Sequence, residues 1–302
     1  MLDKVRGGLF GVAVGDALGA TFEFMAREEI VSRHGSKREM VGGGWLGLQP
    51  GEVTDDTDMT LCVARGIIAS PQDPVEEIGR QFLAWYQTDP KDVGATIRTA
   101  LGAYTKTGDW EQARALTWQR HGGRVAGNGC LMRTLPISFA YFQAPDLLSK
   151  FSREVAFLTH PDPLAAEACL FYNVLAKELL LGEDPWSAFK RARSLVQHEQ
   201  LAGRLDSFQS LALEELQPTG YVVDTLEAVL WCFFNGENII DAIESAVNLG
   251  GDADTVAAIC GGLAGTYWGC SSLPERWWSR LLRKEELDQL AVGLVQASHQ
   301  VR

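Results

Sequence analysis

Read as a run of hydrophobic and polar positions, the chain is helical nearly throughout. Pro74 opens PVEEIGRQFLAWYQ, where Ile78, Phe82, Leu83, Trp85 and Tyr86 gather on one face and Glu76, Glu77 and Arg80 lie off it. Residues three and four apart share a helix face, and proline followed by glutamates suits a helix start. Pro163 leads into LAAEACLFYNVLAKELLLG, with Gly182 placed to end that helix. Further helices are predicted over 185–198, 221–235, 239–248, 255–268 and 284–300. Strand-like alternation is nearly absent, and no Pro/Ser-rich or low-complexity segment divides the chain. The pattern predicts an all-α fold with one domain over 1–302.

Two stretches depart from ordinary helix composition in the same way. Gly7, Gly11, Gly15 and Gly19 recur every four residues, and so do Gly261, Gly265 and Gly269. Glycine inside a helix costs about 1 kcal/mol relative to alanine. Loops would carry glycine cheaply, but the residues between these glycines are apolar. The stretches are therefore expected to be two central helices packed backbone against backbone.

Composition narrows the function. Lys and Arg number 27 against 39 Asp and Glu, a formal charge of −12, which leaves no basic excess for a nucleic-acid partner. A hydrophobic share of 46% with 22% charged residues excludes wholesale disorder. The six cysteines form no C-x-x-C pair and read as buried free thiols of a reducing, cytoplasmic setting. Residues 255–274 are uncharged and about as long as a membrane span. They are rich in Gly, Ala and Thr and follow two aspartates, so a buried helix is expected rather than membrane insertion.

Two acidic clusters carry the chemistry. Thr54-Asp55-Asp56-Thr57-Asp58 stands just before an apolar helical run, and so does Gly250-Gly251-Asp252-Ala253-Asp254-Thr255. One acid explains a helix cap; three crowd like charges that repel unless a cation intervenes or some are protonated. If the glycine helices pack together, the two clusters meet. Thr54, Asp55, Asp56, Asp252, Asp254 and Thr255 then offer hard oxygen donors with no His or Cys, a set that suits Mg²⁺ or Mn²⁺ rather than zinc. So many carboxylates predict two divalent ions, which could hold substrate oxygens and acidify a water.

The blocks GDALGATFEF (15–24), GGGWLGLQPGEVTDDTDMTL (42–61), DVG (92–94), GNGCLMRTLP (127–136), THPDPLAAEA (159–168), YVVDTLEAVLWCFF (221–234) and NLGGDADTVAAICGGLAGTYWG (248–269) occur in an order that resembles the ADP-ribosylglycohydrolase family. The resemblance implies an orthogonal helical bundle with a central dinuclear metal cleft. It also implies hydrolysis of the N-glycosidic bond between ADP-ribose and a protein arginine, and it assigns the same six residues as metal ligands. Catalytic roles fall to Asp92, as acid/base, to Glu23, beside the metals, and to Asp56. Gly127, Asn128, Gly129, Met132, His160 and Tyr221 would contact ADP-ribose. The resemblance extends to a branch that acts on nitrogenase iron protein, which would imply an ADP-ribosylated protein as partner and, indirectly, a PII-type signalling protein.

Plainer readings stand beside these. Asp92 could cap a helix starting at Val93; His160, before Pro161, could be a turn residue; Tyr221 could be core; Gly127 and Gly129 could flank any tight turn. Trp45 is open between a surface lid and a core anchor. Within the same resemblance, the enzyme could instead cleave serine-linked or small-molecule ADP-ribosyl compounds. The chain could also be a non-catalytic ADP-ribose binder or structural relative, although no expected metal ligand is missing.

Overall fold

The two glycine stretches form the centre of the molecule. In the computed structural model, which describes residues 1–301, they are the helices Leu2–Gly19 and Ala253–Trp268. The helices run antiparallel: Gly7 faces Gly265, Gly11 faces Gly261, Gly15 faces Ala257 and Gly19 faces Ala253. A Cβ on Gly7, Gly11 or Gly15 would run into the carbonyl oxygen opposite. Both helices are apolar nearly all round and buried for most of their length. Gly269, expected as the third glycine of the second stripe, lies past the helix end. Its φ of 84° closes the helix there.

Sixteen α-helices and no β-sheet are present among the described residues. The expected helices appear as Val75–Tyr86, Pro163–Leu181, Val222–Asn235, Ile239–Asn248 and Lys284–Ser298, with ends that differ by a residue or two. Gly182 ends its helix in the left-handed region, as expected. The helix expected over 185–198 is shorter, Pro185–Arg193. Glu167, from the neighbouring helix, accepts the backbone N–H groups of Gln197 (3.0 Å) and His198 (2.7 Å) and so holds the chain after it in an extended turn.

Five cysteines are buried and Cys270 is half-buried, none of them bridged. Among the described residues no helix is long and apolar enough to cross a membrane.

Three isolated backbone bridges, rather than a sheet, arrange the loops at one end of the central pair: Ala26 with Gly250, Gly43 with Leu48, and Gly127 with Tyr221. They set the geometry of the cleft described next.

Candidate functional site

The site is built where two helix N-termini converge. The acidic helix Asp55–Ala69 begins beside the end of the first glycine helix, and the second glycine helix begins at Ala253. The positive end of each helix dipole favours carboxylates there. Thr54 caps the acidic helix, its Oγ1 accepting the N–H of Asp56 at 3.3 Å. The capping reading is therefore true of Thr54, but it leaves Asp55 and Asp56 free to face the cleft. Asp58 points elsewhere and accepts from Trp85 Nε1 (3.1 Å) and Arg283 Nη1 (3.0 Å).

Asp16, which the sequence reading passed over, locks this corner. It is fully buried on the first glycine helix and accepts the N–H groups of Thr54 (3.0 Å) and Thr57 (3.1 Å) and the Thr57 hydroxyl. Burial pushes its carboxyl up to about 6 despite those hydrogen bonds. A lone Asp in a glycine stripe gave one usable signal: a charge in the middle of an otherwise apolar helix has to be partnered.

Gly250 and Gly251, at φ 73° and 60°, turn the chain so that Phe24 N–H donates to the Gly251 carbonyl (2.7 Å) and Gly251 N–H to that of Met25 (3.0 Å). That stitch carries Glu23 to Asp252 and Asp254, whose oxygens gather within 4.8 Å of one another and of Glu23. Glu23 is thus nearer the two aspartates than a merely neighbouring carboxylate would be. Across the cleft, Asp56 Oδ2 accepts the hydroxyls of Thr54 (3.2 Å) and Thr255 (3.3 Å), joining the two acidic loops. Asp55 Oδ2 accepts the N–H of Gly94 at 3.2 Å.

Burial, and then the other acids, pushes Asp55, Asp56 and Asp254 well above the usual carboxylate range. Glu23 rises to about 7, mainly by burial, with a hydrogen bond from Trp45 opposing and Asp92 and Asp252 adding to the rise. Asp56 Oδ1 is buried with no hydrogen-bond partner. Hard oxygens, mutual repulsion and an orphaned buried carboxylate oxygen are what a divalent cation would satisfy. The residues present fit such an ion.

Asp92 is half-buried on the same cleft, and burial raises its pKa. The helix after it begins at Ala95 with Gly94 as N-cap and no side-chain cap, so the capping reading of Asp92 fails.

The cleft encloses about 480 Å³. Asn128, Gly127, Gly129, Met132 and His160 line its far side, together with Thr219 and Gly220. Asn128 Nδ2 donates to Asp252 Oδ2 at 2.7 Å and ties this wall to the acidic one. His160 is buried, with its ring against Gly127 and Gly129. The buried Arg133 donates to Thr159 Oγ1 (2.7 Å), which leaves the threonine proton for His160 Nδ1 (2.8 Å). Burial, then Arg133, holds the imidazole pKa well below its ordinary value, so a neutral ring presents Nε2–H to the cleft. His160 is therefore more than a turn residue.

Tyr221 does not line the cleft: it is half-buried at the start of its helix, and its backbone pairs with Gly127. Thr54 likewise stands behind Asp55, facing a smaller adjoining cavity. Trp45 proves to be a surface residue, 57% exposed at the rim, with Nε1 donating to Glu23 Oε2 at 2.6 Å. Among the described residues no lysine or arginine lines the cleft.

Comparison with known proteins gives a consistent picture. A family model described as ADP-ribosylglycohydrolase matches residues 1–302. The chain is 36% identical to ADP-ribosyl-[dinitrogen reductase] glycohydrolase of Rhodospirillum rubrum, over 94% of this chain and 92% of that one. It is 34% identical to ADP-ribosylarginine hydrolase Tri1 of Serratia proteamaculans, over 97% and 79% of the two chains. A solved structure titled ADP-ribosylglycohydrolase-related protein complex superposes with a TM-score of 0.85 at 36% identity, covering 98% of each chain.

Proposed function

The chain belongs to the ADP-ribosylglycohydrolase family, and from that premise we propose that it hydrolyses the N-glycosidic bond between ADP-ribose and an arginine of a modified protein, with divalent ions at the acidic cluster. The observation that carries this reading is the meeting of the two acidic loops in one cleft, with Asp56 Oδ1 orphaned and Glu23, Asp252 and Asp254 drawn together. Asp55, Asp56, Asp252 and Asp254, with Thr54 and Thr255, would hold the ions. When bound, they would supply Lewis-acid polarisation of ribose oxygens and of water.

The rest follows from the side chains. The diphosphate of ADP-ribose finds no lysine or arginine in the cleft, so it would rest on backbone N–H groups of the Gly127–Gly129 loop and on His160 Nε2–H. Positive charge growing at the anomeric carbon is favoured by Glu23 and its acidic neighbours. Water attacks that carbon and gives its proton to the Asp92 carboxylate. The C–N bonding pair leaves with the guanidine nitrogen, and the neutral guanidine then takes up the proton. Burial raises the Asp92 pKa towards working pH, which suits a general base.

Two measurements test the reading. Peptides and proteins ADP-ribosylated on Arg, Ser or Asp/Glu, compared in single turnover with Mg²⁺ or Mn²⁺ present, should show arginine-linked ADP-ribose cleaved fastest. Discrimination lies in the leaving group, so it should appear in turnover as well as in binding. Equal rates, or faster serine cleavage, would remove the arginine assignment. Modified dinitrogenase reductase is the first protein to try, because the Rhodospirillum relative is named for it.

Asp92→Asn should lower turnover by roughly 10²–10⁴, the usual loss of a general acid/base, with ADP-ribose affinity little changed. Near-normal turnover would return Asp92 to a structural role.

A further inference from the structure

Two large aromatic side chains stand exposed at the rim of the acidic cleft. Phe24 is 70% and Trp45 57% exposed, their ring centroids 5.7 Å apart, and both line the cavity beside Glu23. Such faces are normally buried, and an exposed apolar pair at the mouth of a site marks a contact surface. The backbone holds them out. Phe24 sits at φ 65°, a left-handed conformation that bulky residues rarely adopt, fixed by its N–H on the Gly251 carbonyl. Trp45 is carried by a loop whose Gly42, Gly43, Gly44 and Gly47 all have positive φ. A side chain at Gly44 would strike the carbonyl of Ala20, so that loop is pinned against the end of the first glycine helix. The one polar atom of the indole is already engaged by Glu23, which orients the ring, and more than half of the residue stays exposed beside Phe24.

We propose that Phe24 and Trp45, whose rings pack on each other at 41°, form an aromatic platform on which the guanidinium-bearing side chain of the acceptor arginine stacks, holding it beside Glu23 and selecting arginine-linked substrates. The inference rests on the arginine reading above and deepens it. The chemistry is complementary: a guanidinium is planar, weakly hydrated and always charged, it stacks on aromatic faces, and here it meets a cleft lined by carboxylates and by no lysine or arginine. A serine linkage offers neither the charge nor the plane. Trp45 and Phe24 are accordingly positioning residues for the acceptor, with the ADP-ribose half of the substrate assigned to the Gly127–Gly129 wall of the same cleft.

The test compares wild type, Trp45→Ala, Trp45→Phe and Phe24→Ala on an ADP-ribosylarginine peptide, with affinity for ADP-ribose itself measured in parallel. A cation–π contact corresponds to roughly a 3- to 30-fold change in binding. Trp45→Ala and Phe24→Ala should raise KM for the peptide by that factor, with kcat and ADP-ribose affinity changed less than about twofold. Trp45→Phe, which keeps a π-face but loses the bond to Glu23, should restore most of the loss. A fall in kcat that Trp45→Phe fails to rescue would mean that Trp45 acts through Glu23, and would overturn the platform. So would an unchanged KM in both alanine variants. If wild type itself prefers serine-linked substrate, the arginine reading fails first and takes the platform with it, an outcome visible before any variant is made.

Discussion

Stripping divalent ions with EDTA is expected to abolish hydrolysis of an ADP-ribosylarginine peptide, and Mg²⁺ or Mn²⁺ to restore it. Burial disfavours the charged forms of Asp56 and Asp254, and Asp16 and Asp252 add to the rise of both. Without a cation they hold protons that the unfolded chain would release. Asp16, with a folded pKa of about 6, and Glu23, at about 7, bind more protons in the folded state between about pH 4 and 7. The slope of stability with pH is then negative. That stabilisation is complete below the unfolded pKa values and is lost as pH rises through 6 and 7. Metal-free protein should therefore melt higher near pH 5 than near pH 7. Saturating Mn²⁺ or Mg²⁺ at pH 7 should raise Tm, because binding adds about 2.7 kcal/mol of stability at a hundredfold excess over Kd. Asp55→Ala and Asp254→Ala should lose activity yet stay folded, because each relieves crowding. Undiminished turnover in the stripped enzyme, measured with the metal content checked, would sink the metal site.

Gly11→Ala combined with Gly261→Ala should cost both fold and activity. Helix propensity alone argues the opposite, since alanine is favoured over glycine by about 1 kcal/mol per site. Packing decides. Each added methyl would lie on the carbonyl oxygen of the helix opposite, where no side chain can yield. Overpacking typically costs 1–3 kcal/mol per site, occasionally more, and here both methyls press on the same crossing. The helices must separate, and they carry Asp16 on one side and Asp254 with Thr255 on the other. Thermal melting should fall by several degrees or more, with metal-dependent turnover falling alongside. Gly203→Ala is the control: it lies on the exposed face of the helix Glu199–Ser207 with nothing near an added Cβ, so propensity wins and melting should hold or rise. A double variant as stable as wild type would mean that the glycines are not there for close approach.

What could be read from sequence was whatever repeats or crowds. Glycine every fourth position on two apolar runs specifies one packing solution, and the two acidic loops were recognisable because capping needs fewer charges. Helices such as Trp110–Arg120, whose polar and apolar residues do not segregate, were not foreseen one by one; tertiary contacts rather than periodicity decide them. In the site, long-range pairings were the blind spot. Asp16 on Thr54 and Thr57, Arg133 through Thr159 to His160, and Trp45 on Glu23 each join residues distant in the chain, and no local spacing announces them. Tyr221 is a different case. It begins an amphipathic helix next to the cleft wall, but its backbone, not its ring, does the joining.

The antiparallel glycine pair also dictates an order of assembly. Gly7 meets Gly265 and Gly19 meets Ala253, so nearly the whole chain is synthesised between the two halves of the central contact. Until the second half emerges from the ribosome, the first helix has no mate for a surface that is apolar over most of its length, and that surface is adhesive. Contacts so far apart along the chain carry a large loop-closure cost and slow the final step. The nascent protein should spend that interval as a collapsed intermediate prone to aggregation, shielded by chaperones or by its own transient packing. The acidic cleft, which draws on both helices, comes into being only with that last docking. A chain that stops short of residue 253 thus has neither its central packing nor a place to bind a cation.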